Sequence, residues 1–88
     1  MIVYIIMAKY RVGQKVKVRL DLIPRSSFGE IWVNPSMIQY CGNEYTIHDV
    51  QVRGKQIIYH FEGIPWNWEE DMLCLELFKN FIHLINYV

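Results

Sequence analysis

The sequence has little of what small proteins stabilised by metals or disulfides require. It contains two cysteines, Cys41 and Cys74, which lie far apart in the chain and show no C-x-x-C spacing. This arrangement argues against a disulfide framework and against a structural zinc site. We therefore predict two small, buried, reduced side chains, no bound metal and no cofactor.

The sequence also lacks a net charge, because nine basic residues balance nine acidic ones. The uniform positive field that gives non-specific affinity for DNA or RNA is therefore missing. The balance is uneven along the chain: residues 1–44 hold six basic and three acidic residues, whereas residues 45–88 hold three basic and six acidic ones. The molecule is bipolar if the fold does not interleave these halves. Otherwise the charges pair across strands.

Long hydrophobic runs are lacking as well. The apolar opening segment, residues 1–7, is too short to span a bilayer, and it has neither a basic flank nor a small-residue cleavage site. We predict a cytoplasmic protein that does not bind membranes.

The sequence shows no local motif for catalysis. Its three histidines have no H-E-x-x-H or H-x-H spacing, and its five glycines are dispersed and form no phosphate-binding run. The acidic triplet Glu69, Glu70 and Asp71 lacks a calcium-binding loop around it and is better read as the start of a helix. We predict that the protein is not an enzyme.

What the sequence does contain is typical of a compact domain with one core. Apolar residues make up 52% of its 88 residues and aromatic residues 15%, far from the composition of a disordered chain. No repeat or linker divides it, so we expect a single domain over residues 1–88.

Alternation of side chains predicts a mainly β structure. Residues 15–20 alternate strictly, which places Val16, Val18 and Leu20 toward a core. A short strand at 31–33 precedes a helical turn capped by Asn34, and Gly13 suits a turn. Residues 44–61 form a hairpin that reverses at Arg53–Gly54, with a bulge near His48 or Asp49 because the inward parity changes there.

The C-terminal segment, residues 72–88, has a helical pattern. Its polar residues cover an arc of roughly 120°, so the apolar face is wider than one small barrel needs. A second apolar neighbour is therefore expected: the strand at residues 1–6, a second copy of the protein, or a groove on a partner.

Two side-chain groups are candidates for binding. Basic residues at odd positions from Lys9 to Arg19 could form one stripe for nucleic acid, although the zero net charge opposes this. Aromatic residues could line a peptide groove or form the core itself, namely Phe28, Trp32, Tyr40, Tyr45, Tyr59, Trp66 and Trp68. Alternation sends Trp66 and Trp68 to opposite faces, so we expect one to be buried and the other partly exposed.

Residues 8–75 resemble a family of short phage and prophage proteins with an SH3-like barrel. The resemblance rests on K-Y-R-V-G-Q-K-V-K-V-R at 9–19, M-I-Q-Y-C-G at 37–42, and W-N-W-E-E-D-M-L at 66–73. It departs from the family at Gln14 and at Phe28–Gly29–Glu30. The resemblance implies an SH3-like barrel at 8–72. The residue patterns on either side predict an N-terminal strand extension at 1–7 and an amphipathic α-helix at 73–87, so we expect a mainly β, α+β arrangement overall.

The resemblance also implies a phage or mobile-element accessory protein without catalytic residues. Our hypothesis is a protein that binds and inhibits or modulates a host protein, for example an anti-CRISPR or other anti-defence protein that acts by occlusion. The alternatives are a small nucleic-acid-binding module that uses strand 9–19, and a structural homodimer formed through the C-terminal helix. The candidate contact residues are Lys15, Lys17, Arg19, Arg25, Phe28, Trp68, Glu69, Glu70, Phe78, Phe81 and Ile85.

Overall fold

The computed structural model describes residues 7–75, and this part of the chain is mainly β. Five strands form an antiparallel sheet in the order β6-β5-β4-β1-β7, and β2 pairs with β3 in a separate hairpin. Two short 3₁₀ helices, Pro35–Tyr40 and Glu70–Met72, lie between strands. The strands are β1 (Lys15–Val18), β2 (Ser27–Phe28), β3 (Ile31–Trp32), β4 (Glu44–Arg53), β5 (Gln56–Phe61), β6 (Trp68–Glu69) and β7 (Leu73–Cys74).

Strand β1 lies between β4 and β7 in the sheet. The first and last strands of the described chain are therefore neighbours. Lys17 pairs with Glu44 of β4 on one side and with Cys74 of β7 on the other. Because β1 comes from the basic half and both β7 and β4, apart from Glu44, come from the acidic half, the fold interleaves the two halves of the sequence. The condition for a bipolar molecule is not met in this region.

The predicted strand at 15–20 is confirmed only in part. Val16 and Val18 are each 1% exposed, but Leu20 is 73% exposed and does not face the core. The strand ends at Val18, and the chain turns at residues 20–21, where the side chain of Arg19 bonds the carboxylate of Asp21. The alternation continues in the sequence beyond the point where the backbone leaves the sheet.

The predicted hairpin is confirmed as β4 and β5. Arg53 pairs with Gln56 around a two-residue turn, and Gly54 in that turn has a φ of +58°. The register shifts between Ile47 and Asp49, as the change of parity predicted. A bulge there bends β4, so residues 44–46 pair with β1 while residues 47–53 pair with β5.

The helical turn after Asn34 is also confirmed. The Oδ1 atom of Asn34 accepts the backbone N–H of Ser36, and Pro35 occupies the first position of the helix, where its missing N–H costs nothing. The strand before it is Ile31–Trp32.

The acidic triplet begins a single 3₁₀ turn, and the long helix predicted to follow does not start where expected. Leu73 and Cys74 form β7 and pair with Val18 and Lys17, because the backbone groups of β1 are open on that side and Leu73 is buried there. The remainder of the predicted helix, residues 76–87, and the predicted strand at 1–6 lie outside the described residues.

The core is rich in aromatic rings. Trp68 and Phe61 stack with ring centres 5.4 Å apart, Tyr45 stacks on Phe61 at 5.3 Å, and Tyr40 meets both Tyr45 and Trp68 edge to face. Trp68 has no exposed surface and Trp66 is partly buried, as the alternation predicted. The aromatic residues therefore serve mostly as core.

Candidate binding surfaces

A groove of about 750 Å³ lies beside the edge strand β7. Its walls come from residues 9–10, 17–21, 70–71 and 73–75, together with Gly42. Two of its apolar side chains are strongly exposed for their type, since Leu20 is 73% and Leu75 38% exposed. The groove therefore offers apolar surface to another molecule.

The charged rim of this groove is neutral and largely paired. Lys9, Lys17 and Arg19 contribute three cations, and Asp21, Glu70 and Asp71 contribute three anions. Arg19 donates from Nε and Nη2 to the two carboxylate oxygens of Asp21, at 2.9 and 2.7 Å, and from Nη1 to the carbonyl oxygen of Asp71 at 2.9 Å.

This pairing affects both partners of the ion pair. The hydrogen bond to Asp21 raises the pKa of Arg19, and the same bond lowers the pKa of Asp21. Because the guanidinium already has carboxylate and carbonyl partners, it offers little to a polyanion. A bidentate pair also fixes the direction of the turn that carries Leu20.

A hydrogen-bonded network behind the groove holds residues 9–10 against the sheet. Glu70 Oε2 accepts the hydroxyl of Tyr59 at 2.6 Å and the backbone N–H of Lys9 at 2.9 Å. The hydroxyl of Tyr59 in turn accepts the backbone N–H of Tyr10 at 3.2 Å. Burial and the bond to Glu70 raise the pKa of Tyr59, so its proton stays in place to donate.

A second exposed region is the β2–β3 hairpin. Gln56, at the start of β5, donates from Nε2 to the carbonyl oxygen of Phe28 at 2.6 Å and accepts the N–H of Glu30 at 2.9 Å. These two bonds fasten the tip of the hairpin to the turn between β4 and β5. Trp32, on the same hairpin, is 49% exposed.

The structure brings together three of the predicted contact residues and separates the others. Lys17, Arg19 and Glu70 line the groove, while Arg25 and Phe28 lie on the hairpin segment. Lys15 is exposed on β1 but does not line the groove. Phe78, Phe81 and Ile85 lie outside the described residues.

Two predicted contact residues are unsuited to that role. Trp68 is 0% exposed, so it packs in the core and does not reach a partner. Glu69 is 8% exposed, and its Oε2 accepts the N–H of Asp71 at 2.8 Å as the cap of the second 3₁₀ helix. Burial raises the pKa of Glu69. Glu69 thus caps the helix that contributes Glu70 and Asp71 to the groove.

The basic stripe expected for nucleic acid is not continuous in the structure. Only Lys15 and Lys17 share a face of β1, since the strand spans Lys15–Val18. Lys17 lies opposite Glu44, and Arg19 is held by Asp21. The surface around β1 is therefore a mixture of both signs.

Sequence reasoning missed several residues of the groove, above all Tyr10, Asp21 and Leu75. Tyr10 and Leu75 meet there only because β1 pairs with β7, a contact between distant parts of the sequence. Arg19 and Asp21 are only two positions apart in the sequence. Their ion pair was therefore the one contact of the groove that the sequence could have indicated.

A polar cluster links β4 and β5 to the loop before β6. His60 Nδ1 lies 3.3 Å from Asp49 Oδ2, and His60 Nε2 lies 2.5 Å from Asn67 Oδ1. Among residues 7–75, no group of three His, Cys, Asp or Glu side chains is arranged to hold a metal ion. In the same range, no helix has the length and apolar character needed to cross a membrane.

Comparisons with models of known protein families, with curated proteins and with solved structures found no match to this chain.

Proposed function

We propose that this protein is a non-enzymatic binding module that attaches to a host protein and inhibits or modulates it by covering part of its surface. The observation that carries the proposal is the groove beside β7. Its apolar side chains, Leu20 and Leu75 among them, are ringed by charges that are mostly paired with each other. An apolar segment of a protein fits such a site better than a charged small molecule does.

We further propose that the scaffold is an SH3-like barrel. The bulge in β4 supports this, since it bends a strand that pairs with β1 on one side and β5 on the other. A single 3₁₀ turn between β6 and β7 also supports it, because it sends the chain from one edge of the sheet to the other.

The nature of the partner is proposed from the resemblance of residues 8–75 to phage proteins. A phage accessory protein meets its partners in the host cytoplasm, and an anti-CRISPR or other anti-defence role is the most specific form of the proposal.

The test is a pull-down from bacterial lysate with the full chain, its Leu20→Glu variant and its Val12→Glu variant. Both positions are exposed, Leu20 at 73% and Val12 at 63%, but only Leu20 lines the groove. We expect a protein that the wild type and Val12→Glu retain and that Leu20→Glu loses. Equal recovery with all three chains would contradict the role of the groove.

Light scattering on the same samples separates the homodimer alternative. A stable dimer at high dilution, with no lysate protein retained, would favour self-association over host binding.

A further inference from the structure

Arg25 holds a backbone conformation that is costly for its residue type. Its φ is +68°, and within residues 7–75 no other non-glycine residue has a positive φ. Pro24 precedes it, and the N–H of Ser26 bonds the carbonyl oxygen of Ile23 at 3.2 Å, which is the pattern of a type II turn. Glycine suits this position best, so local stability does not explain an arginine there.

The surroundings of Arg25 are those of a contact surface. Its N–H bonds the carbonyl oxygen of Val33 at 2.8 Å, which places it beside the strand that carries Trp32. Trp32 is 49% and Ile23 67% exposed. Arginine and tryptophan are the residue types that most often dominate the energy of protein interfaces.

A second turn adds positive charge to this region. The two hydrogen bonds of Gln56 hold the tip of the β2–β3 hairpin next to the β4–β5 turn, where Arg53 and Lys55 are exposed. Glu30 is the one acidic residue of the hairpin. In the part of the chain that the structure describes, the side chains of Arg25, Arg53 and Lys55 have no ion pair.

We propose that this hairpin surface, formed by Ile23, Arg25, Trp32, Arg53 and Lys55, binds a partner segment in which acidic and apolar side chains alternate. Three unpaired cations against one anion select for carboxylates, and the exposed Trp32 and Ile23 select for apolar neighbours. The aliphatic side chain of Ile23 and the negative charge of Glu30 suit a polypeptide partner better than the phosphate backbone of a nucleic acid. This surface is separate from the groove and does not depend on it.

The experiment is an NMR titration of the full, isotope-labelled chain with a synthetic peptide of alternating glutamate and leucine. A lysine and leucine peptide and an oligothymidylate serve as comparison ligands. We expect shifts at the amides of residues 23–33 and 53–56, with the acidic peptide only, and weaker shifts as salt rises.

The decisive variant is Arg25→Gly, with Arg11→Ala as a control that removes an exposed cation elsewhere. Glycine relieves the positive φ, so we expect an unchanged or higher midpoint of thermal unfolding together with roughly tenfold weaker peptide binding. Arg11→Ala should bind as the wild type does.

Several outcomes would overturn the proposal. These are the absence of peptide-dependent shifts, shifts confined to groove residues such as Leu20, equal losses in Arg25→Gly and Arg11→Ala, and equal or stronger binding of the oligothymidylate. None of them contradicts the result expected from the pull-down with Leu20→Glu, so the two proposals fail independently.

Discussion

Tyr59 donates its hydroxyl to Glu70 Oε2 over 2.6 Å while the hydroxyl oxygen accepts the backbone N–H of Tyr10 at 3.2 Å. One buried phenol therefore joins β5, the second 3₁₀ helix and the segment that leads into β1. These three parts of the chain form or support the walls of the groove. The shape of the groove thus depends on a side chain that does not line it.

Replacing Tyr59 with phenylalanine removes this link without changing the packing of the ring. The N–H of Tyr10 then loses its partner in a buried place, so we expect a loss of about 1–2 kcal/mol in the free energy of unfolding. Chemical denaturation measures it. Tyr45→Phe is the control, because the hydroxyl of Tyr45 accepts only a long bond of 3.4 Å from Asn43. Equal effects of the two variants would show that the network contributes nothing.

Gly29 and Gln56 provide a test of how the hairpin is fastened. Gly29 has a φ of +64°, and a Cβ atom there would lie 2.2 Å from Gln56 Nε2. Gly29→Ala must therefore displace the amide that bonds both Phe28 and Glu30. We expect a loss of about 2–3 kcal/mol, from the strained φ together with the lost hydrogen bonds.

A double-mutant cycle separates these two causes. In a Gln56→Ala background the side chain is already absent, so Gly29→Ala should cost only the strain, about 1 kcal/mol. Gly54→Ala is the matched control, because its φ is +58° and nothing lies within 4 Å of the added atom. Additive effects of Gly29→Ala and Gln56→Ala would contradict the proposed clash.

The features that could be predicted from the sequence are those with local causes. The cap at Asn34 and the hairpin at 44–61 each depend on residues a few positions apart, and the structure confirms them. The bulge between Ile47 and Asp49 was visible as a change of parity in the apolar pattern. Turn chemistry and period-two alternation act within short windows, which a sequence displays directly.

The groove had no such local cause. Leu20 continues the alternation of β1 but lies beyond the end of the strand, and Leu73 and Cys74 belong to a run with a helical period. A short apolar segment suits a helix or a strand equally, and the open side of β1 decided between them. The walls of the groove meet only after β1 and β7 have paired.

Trp68 offers a test of the core. Its Nε1 is buried and has no hydrogen-bond partner among the described residues. Trp68→Phe keeps an aromatic ring between Phe61 and Tyr40 and removes an unpaired polar atom, so we expect a loss below about 2 kcal/mol. Trp68→Ala should cost about 3–5 kcal/mol because it leaves a large cavity. Urea denaturation measures both, and similar losses would show that the indole N–H has a partner.

Glu69 predicts a dependence of stability on pH. Burial raises the pKa of this carboxyl in the folded state, so the folded chain holds the proton more tightly than the unfolded chain does. The stability from Glu69 is therefore greatest below the ordinary glutamate pKa of about 4.3, and it falls as the pH rises through the folded-state value. Asp21 acts in the opposite sense, because its lowered pKa means that stability is lost as the pH falls below the ordinary aspartate range.

Glu69→Gln isolates this effect, since the amide oxygen can still accept the N–H of Asp71 while no charge is buried. Relative to wild type, the variant should gain stability as the pH rises from acid to neutral, measured by urea denaturation across that range. Glu62→Gln, at an exposed position, should follow the wild type throughout. If the stability of Glu69→Gln relative to wild type instead falls as the pH rises, the charged carboxylate stabilises the helix as a cap by more than the burial of its charge costs. The ionised carboxylate would then stabilise the second 3₁₀ helix, which contributes Glu70 and Asp71 to the groove.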